Sequence, residues 1–343
     1  MQLSRRFRGL VSLAFIVCVA PFLASCSDSS PSGSGPAAQS VNTCFGLICI
    51  ETVNVGDPGN PTDTDTGFGA VNYEYAIGKY ESTVSQYVTF LNAVAAVTDK
   101  EAIIRLWNID MRKTKSYVST TGLITRTGSG TSEQPFVYTE RVDPSWGASS
   151  SKRAILNISW FSAARFANWL HNGATASSST ETGAYTLNYA TSGVFTKNAG
   201  ARWWIPSEDE WYKAAYYDPT KPGNNKYWKY PTRFDEVPTS EAPIGGANSA
   251  NYNSPSSLEE NRVTPVGAYT ASASYYGTYD QAGSMWEWND AVYTDYDDNP
   301  ITRGMRGGSW SLGIINVSKF GPRDYEPVYD DDDTGFRIAT SSK

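Results

Sequence analysis

The stretch Arg306–Arg337, RGGSWSLGIINVSKFGPRDYEPVYDDDDTGFR, joins two short glycine-containing motifs through a polar and aromatic interior. Gly-Gly-Ser-Trp follows Arg306, Gly-Phe-Arg closes the stretch, and neither cysteine nor histidine lies between them. The interior is rich in Tyr, Asp, Ser and Gly, a composition that suits adaptable ligand recognition. We therefore assign the two end motifs to the fold and interpret the interior as a surface loop with a binding role.

The composition of the 343-residue chain narrows the class of protein. Hydrophobic residues make up 40% and charged residues 18%, and the chain has 11 Trp, 22 Tyr and 29 Gly, which indicates an aromatic, loop-rich globule rather than a helical bundle. Its formal net charge of -7 would repel a phosphate backbone. We therefore predict no nucleic acid partner.

The N-terminus reads as an export signal. Residues 1–25 contain an arginine-rich start and an apolar run, as in a signal peptide. The Leu-Ala-Ser before Cys26 resembles a bacterial lipobox, which predicts a lipid anchor on Cys26; an ordinary secretory signal with a chance cysteine is the alternative. Residues 26–50 then form a Ser/Gly/Pro-rich tether, and 51–341 the folded domain. Ser27 favours the outer membrane as the place of anchoring.

The remaining cysteines give little reason to expect a metal site. Cys44 and Cys49 could close a small disulfide loop in an oxidising compartment, or remain as two free or differently paired thiols. A zinc or redox site would need a C-x-x-C motif or several histidines, and His171 is the sole histidine. Because His171 falls at the end of a predicted helix, we assign it a structural role.

Three helices are predicted in an otherwise irregular α+β domain. Thr83 with Gln86, and Ser207 with Glu210, have the spacing of a capping box, and a third helix begins at Ser159. Short aromatic or β-branched runs between Gly, Asn, Asp and Pro turns predict short strands and many loops.

Seven blocks of sequence, taken in order, resemble the sulfatase-modifying factor, or formylglycine-generating enzyme, family. They are YAIGKYESTVSQYVTFLNAV, LNISWFSAARFANWLHNG, WWIPSEDEWYKAAYY, TPVGAY, GTYDQAGSMWEWND, RGGSW and TGFRIA. The resemblance implies the family's variant of the C-type lectin fold. It also implies relatives of three kinds: copper-dependent oxidases that convert a sulfatase cysteine into formylglycine, iron sulfoxide synthases, and surface-displayed ligand binders.

The catalytic thiols of this family have no counterpart in the sequence. Catalytic members carry two cysteines after the Gly-Gly-Ser-aromatic motif, and their thiolates bind copper(I), which prefers sulfur ligands. Aligned from that motif, the two positions fall near Leu312 and Val317, and no cysteine follows Cys49. Copper is therefore not expected. The iron branch needs several histidines, which the chain also lacks.

The resemblance does imply calcium, with oxygen ligands as a hard cation requires. The family's second calcium site maps onto the side chains of Asp280 and Glu287 and the carbonyls of Gly283 and Met285. A Glu287 carboxylate that is hydrogen-bonded to loop amides, without metal, is the alternative.

The family's first calcium site maps less completely. Asn251 and the carbonyl of Tyr252 match it, and Glu259 or Glu260 would replace a displaced aspartate. A site without metal is the alternative here too. Two acidic runs, 295–299 and 330–333, are interpreted as solvated loops rather than as ligands.

A ligand groove is the last element that we predict from the sequence. Its candidate residues are Arg306, Trp310, Arg323, Tyr325 and Arg337. Such arginines can instead pair internally with aspartates, and such tryptophans are often core residues. The sequence as a whole favours a non-catalytic, calcium-stabilised lipoprotein that binds a protein, peptide or glycan. An oxidoreductase of the formylglycine-generating or non-haem iron sulfoxide synthase type, with an unrecognised metal site, is the alternative.

Overall fold

Arg306 and Gly335, near the two ends of the opening stretch, pair with the same residue of one strand. In the computed structural model, Glu287 lies opposite Arg306 on one side and opposite Gly335 on the other. The intervening chain is therefore a long excursion that leaves this sheet and returns to it. The structure describes residues 40–97, 104–111, 122–143, 148–254, 263–293, 301–321 and 323–342.

Several sequence predictions lie outside these ranges. They concern the signal peptide, the Cys26 anchor, the tether as far as residue 39, Glu259, Glu260 and the acidic run 295–299. Within the described ranges no helix is long and apolar enough to cross a membrane. The described residues all belong to one compact unit, Gly35–Lys343.

The three predicted helices are present and begin where their capping residues indicated. They are α1 (Val84–Val94), α2 (Trp160–His171) and α3 (Glu208–Tyr216). Both capping boxes are formed, and the Ser159 side chain caps α2, so these predictions are confirmed.

The strands are short, as predicted, and most of them belong to two sheets. Their bounds are β1 Ser40–Phe45, β2 Ile48–Val55, β3 Tyr75–Gly78, β4 Ile124–Thr127, β5 Val137–Glu140, β6 Val142–Asp143, β7 Ala148–Ser149, β8 Trp203–Trp204, β9 Thr239–Ser240, β10 Ser249–Ala250, β11 Trp286–Tyr293, β12 Thr302–Arg306, β13 Arg323–Tyr325, β14 Thr334–Gly335 and β15 Ala339–Ser341. The larger sheet has the order β1-β2-β3-β15-β8 and the second has the order β13-β12-β11-β14.

The edge strand β1 is fastened to β2 by a disulfide. Cys44 and Cys49 lie opposite each other in the antiparallel pair, and their sulfur atoms are 2.07 Å apart. The turn between the strands also contacts the loop after α2, because the Leu47 N–H donates to the Ala174 carbonyl at 3.0 Å.

Aromatic side chains join the helices to the second end motif. Phe166 of α2 packs edge-on against Phe90 of α1 and against Phe336 of the Gly-Phe-Arg motif, with ring centroids 5.3 Å apart in both pairs. Phe336 is wholly buried, so this motif is part of the core. The α+β fold class predicted from the sequence is confirmed.

Candidate functional site

A buried ion pair between Arg337 and Glu287 forms the centre of the candidate site. The Arg337 Nε and Nη2 atoms donate to the two Glu287 carboxylate oxygens at 2.5 and 2.6 Å. The Trp211 indole N–H donates to the same carboxylate at 2.7 Å. Neither Arg337 nor Glu287 is exposed. Glu287 is thus held by protein donors on both of its oxygens, in a bidentate geometry.

Arg337 also connects three separate parts of the chain. Its guanidinium donates to the carbonyl of Gly78 at 3.0 Å and to that of Tyr279 at 2.9 Å. Burial alone would lower the pKa of Arg337, but the charge and hydrogen bonds of Glu287 outweigh it, so the pKa is raised. The arginine therefore remains charged. Its guanidinium holds the end of β3 and the turn before β11 together.

Asp280 begins that turn and lies near the ion pair. Its backbone is left-handed, with φ 63°, and its carboxylate accepts the Gly267 N–H at 2.5 Å. Burial raises the pKa of Asp280 to about 6; the Glu287 charge adds to the rise, and the Gly267 hydrogen bond and Arg337 oppose it. The carboxyl therefore sits where its charged form is poorly stabilised.

Glu81 is a third carboxyl group in this region and was not identified from the sequence. It is 2% exposed, and neither of its oxygens has a hydrogen-bond partner among the residues that the structure describes. Its pKa is raised well above the usual value by burial first, then by the charges of Asp280 and Glu287. Arg337 and the nearby Ser284 hydroxyl oppose this rise only in part. Its position between the buried strand β3 and the α1 cap is the signal that could have drawn attention to it.

The turn between Asp280 and β11 is bound tightly to the segment that carries Asn251. Gly283 and Ser284 are both left-handed, with φ 83° and 62°. Asn251 and Gly283 form a parallel β-bridge, and the Ser284 N–H donates to the Asn251 carbonyl at 2.8 Å. The residues predicted for the two calcium sites therefore adjoin each other.

The described residues of the first predicted calcium site are held by protein partners. The carbonyl of Tyr252 accepts a hydrogen bond from the Ser240 hydroxyl. The Asn251 side-chain oxygen accepts one from Ser254 at 3.2 Å. Glu260, like Glu259, lies outside the described residues. The structure consequently brings together only part of this predicted ligand set.

The second predicted site has carboxylate oxygens, the donor type that a hard cation prefers, at Asp280 and Glu287. The Glu287 oxygens accept hydrogen bonds from the side chains of Arg337 and Trp211. Across the described ranges there is no group of three or more His, Cys, Asp and Glu side chains placed to hold a metal ion. A cation here would need backbone carbonyls or hydroxyls besides carboxylates.

The prediction that Arg306, Arg337 and Trp310 line a ligand groove is wrong, because the structure buries all three side chains. Arg306 and Arg337 are wholly buried in ion pairs, Arg306 with Glu208 at 2.5 Å. Trp310 is only 6% exposed and is part of the main core. Internal pairing and core packing, the alternatives stated above, are what the structure contains. Tyr325 keeps partial exposure, and of Arg323 only its backbone in β13 is described.

The acidic run 330–333 is joined to the rest of the fold through Asp333, unlike the solvated loop that the sequence predicts. Asp333 accepts the Ser309 hydroxyl at 2.8 Å and is 9% exposed. The backbone of Asp333 also accepts the N–H of Trp286 at 2.8 Å. This run therefore closes the excursion, because Asp333 joins it to the serine of the Gly-Gly-Ser motif.

Leu312 and Val317, near which the sequence predicts the family's thiol positions, are packed among apolar side chains. Val317 is wholly buried, in a small cluster with Tyr230, Ala250 and Ala282. Leu312 is partly buried and packs against the main core. Both side chains therefore make hydrophobic contacts within the fold.

His171 has contacts that suit its assigned structural role. Its Nδ1 accepts the Arg202 backbone N–H at 3.1 Å, and its carbonyl accepts a guanidinium N–H of the same residue. Burial, and then the charge of Arg202, lower the pKa of His171. The histidine is therefore kept neutral and bridges the end of α2 to the start of β8.

Comparison with one solved structure supports the fold. PvdO from Pseudomonas aeruginosa is similar with a TM-score of 0.50 and 16% sequence identity, over 89% of this chain and 100% of that one. Treponema denticola variable protein 1 has a TM-score of 0.48 and 17% identity, over 90% of this chain and 100% of that one.

Comparison with curated proteins and with family profiles gives the relationship in sequence. Hercynine oxygenase of Mycobacterium tuberculosis is 31% identical over 141 residues, 37% of this chain and 29% of that protein. The enzyme of the same name from Mycolicibacterium smegmatis is 30% identical over 141 residues, 35% of this chain and 29% of that protein. This chain thus spans under a third of either relative.

The profile of the sulfatase-modifying factor enzyme 1-like domain matches residues 65–342. Because that match covers most of the chain, the protein belongs to the sulfatase-modifying factor family.

Proposed function

We propose that this protein is a non-catalytic, ligand-binding lipoprotein of the bacterial cell envelope, with a domain that calcium stabilises. The observation that carries the proposal is the packing at Leu312 and Val317. Both side chains are apolar, Val317 is wholly buried, and no cysteine follows Cys49. Copper(I) is a soft ion that depends on sulfur ligands, so these positions cannot hold it.

The chain around the former thiol positions offers a surface suited to binding. Two large apolar side chains of this segment face solvent, since Ile315 is 71% exposed and Phe320 is 49% exposed. The rings of Tyr325 and Tyr329 pack with their centroids 3.9 Å apart. Aromatic faces of this kind stack on peptide side chains or on the apolar faces of sugars. The expected ligand is therefore a protein, peptide or glycan.

Copper loading tests the non-catalytic part of this proposal. The purified protein, treated with copper(I) and then desalted, is expected to retain no stoichiometric copper and to leave a cysteine-containing sulfatase peptide unoxidised. A Leu312→Cys/Val317→Cys double variant serves as the control, since its thiols supply the missing type of ligand and are expected to increase copper retention. Stoichiometric copper, or formation of the aldehyde, in the unmodified protein would refute the proposal.

The proposed anchor has a separate test in Cys26. Bacterial cells that express the protein and grow with labelled palmitate are expected to label it, and Cys26→Ser is expected to abolish the label. Cys18→Ser is the matched control, because this second cysteine lies within the apolar run of the same signal and should leave labelling intact. Equal labelling of Cys26→Ser and the parent protein would show that the thioether anchor is not at this residue.

Oxidase chemistry is the alternative, and the similarity to hercynine oxygenases favours it. Such chemistry would need a metal site assembled without cysteines after residue 49 and with one histidine. Oxygen consumption by the iron(II)-treated protein, with hercynine and a small thiol present, measures it directly. We expect none above the rate of a protein-free mixture.

A further inference from the structure

We propose that a depression on the larger sheet binds an aliphatic carboxylate, with Arg202 holding the carboxylate and the sheet holding the apolar chain. This sheet depression has a volume of about 430 Å³, which is within the range of small-molecule sites. The inference goes beyond the proposed function and does not rest on it, because the excursion starts and ends in the second sheet.

The shape of the sheet depression follows from the strand register. Asn54 of β2 lies opposite Ala76 of β3, and Ala76 lies opposite Thr340 of β15. Thr340 in turn lies opposite Trp203 of β8. Residues that lie opposite each other share one face of a sheet, and these four all line the depression. Because the two central strands present only an alanine and a threonine in this row, the sheet is hollow between Asn54 and Trp203.

The floor of the sheet depression is uncharged and largely shielded from water. Ala76 is 3% exposed, as is Thr52, which lines the depression beside it. The end of α2 closes one side with Leu170 and Gly173. An apolar chain that lies in this hollow leaves water, and each buried methylene is worth about fourfold in affinity.

Charge complementarity identifies the head group of the ligand. Among the described residues that line the sheet depression, Arg202 alone is charged, and its side chain is exposed. Within the described ranges no ion pair involves Arg202. A guanidinium at the rim of an uncharged hollow favours an amphiphile with one negative charge. A carboxylate matches this charge and the fork of the guanidinium, whereas a phosphate monoester carries nearly twice the charge.

Contacts with α2 and β15 hold Arg202 at the rim. Its backbone N–H donates to the His171 Nδ1 atom at 3.1 Å, and its carbonyl accepts the Thr340 hydroxyl at 2.6 Å. One guanidinium N–H donates to the His171 carbonyl. A guanidinium has more N–H donors than this contact uses, so the side chain is positioned and can still bind a carboxylate.

The test titrates the tag-free protein with decanoate, followed by calorimetry and by the NMR signal of the His171 ring. His171 is the sole histidine, and the charge of Arg202 adds to the effect of burial in lowering its pKa. Decanoate is expected to bind saturably and to raise the pKa of His171, because the carboxylate offsets the Arg202 charge. Octanoate, whose chain is shorter, is expected to bind about tenfold more weakly. Uncharged decan-1-ol should also bind more weakly than decanoate.

Two arginine variants separate the site from a general effect of charge. Arg202→Gln is expected to lower the affinity for decanoate about tenfold or more and to abolish the ligand-induced rise in the pKa of His171. Arg105→Gln is the matched control, because it removes another exposed arginine, which does not line the sheet depression. This control should bind decanoate as the parent does.

Equal affinity of Arg202→Gln and the parent for decanoate, or of the parent for decanoate and decan-1-ol, would overturn the role of Arg202. Absence of saturable binding to the parent would overturn the site. If Arg202→Gln does not fold, Ala76→Val is titrated instead, since its added methyl groups fill part of the hollow. Weaker binding is expected, and unchanged affinity would count against the sheet depression. These results leave the copper and palmitate tests of the proposed function unaffected.

Discussion

Replacing Arg337 with methionine is expected to lower the free energy of unfolding by about 3–5 kcal/mol. The substitution leaves Glu287 buried with its charge uncompensated, because the arginine supplies two of its three hydrogen bonds. The carbonyls of Gly78 and Tyr279 lose their guanidinium donor as well. Urea denaturation followed by tryptophan fluorescence measures the change.

A double variant separates the lost ion pair from the lost packing. Arg337→Met/Glu287→Met removes both charges and is expected to be more stable than Arg337→Met alone, since an apolar pair of similar volume replaces a buried ion pair at little cost. If Arg337→Met unfolded at the same urea concentration as the parent, the ion pair would not be central to stability.

Replacing Gly283 with alanine is expected to destabilise the protein by about 2–4 kcal/mol, through backbone strain and overpacking together. Gly283 has φ +83°, and an added Cβ would lie 2.0 Å from the Asn251 carbonyl oxygen. Relief of this contact would break the bridge between the two segments, and the turn that carries Asp280 would move. Thermal unfolding and calcium titration should both report the loss.

The control for this substitution is Gly313→Ala. Gly313 lies in the exposed part of the excursion, and a Cβ added there would meet no atom within 4 Å. Its melting temperature should stay close to that of the parent. Comparable losses in the two variants would mean that the close approach of Gly283 to Asn251 is not the cause.

The parts of the fold that depend on interactions between residues close in sequence could be predicted. A helix start depends on a capping residue and its partner three positions later, so Thr83 and Ser207 could be recognised within four residues each. The order of the seven blocks then gave the fold class. Disulfide pairing of Cys44 with Cys49 was one of two alternatives, and the hairpin register places the two residues opposite each other.

The candidate site was less predictable because its partners are distant in sequence. Arg306 pairs with Glu208 at a separation of 98 residues, and Arg337 pairs with Glu287 at a separation of 50. An arginine beside a glycine motif gives no local sign that it is buried, so both were interpreted as groove residues. Glu81 escaped notice for the same reason, since its significance depends on Asp280 and Glu287, which only the tertiary structure brings near.

The position of β15 imposes an order on folding. This strand, Ala339–Ser341, lies inside the larger sheet between β3 and β8, although β3 is encoded more than 250 residues earlier. Contacts of such long sequence separation form late and slowly. During synthesis the strand between β3 and β8 is therefore missing until residue 341 has emerged, and the edges of β3 and β8 that pair with it stay unpaired. A stop codon before Ala339 would therefore remove an interior strand of the larger sheet.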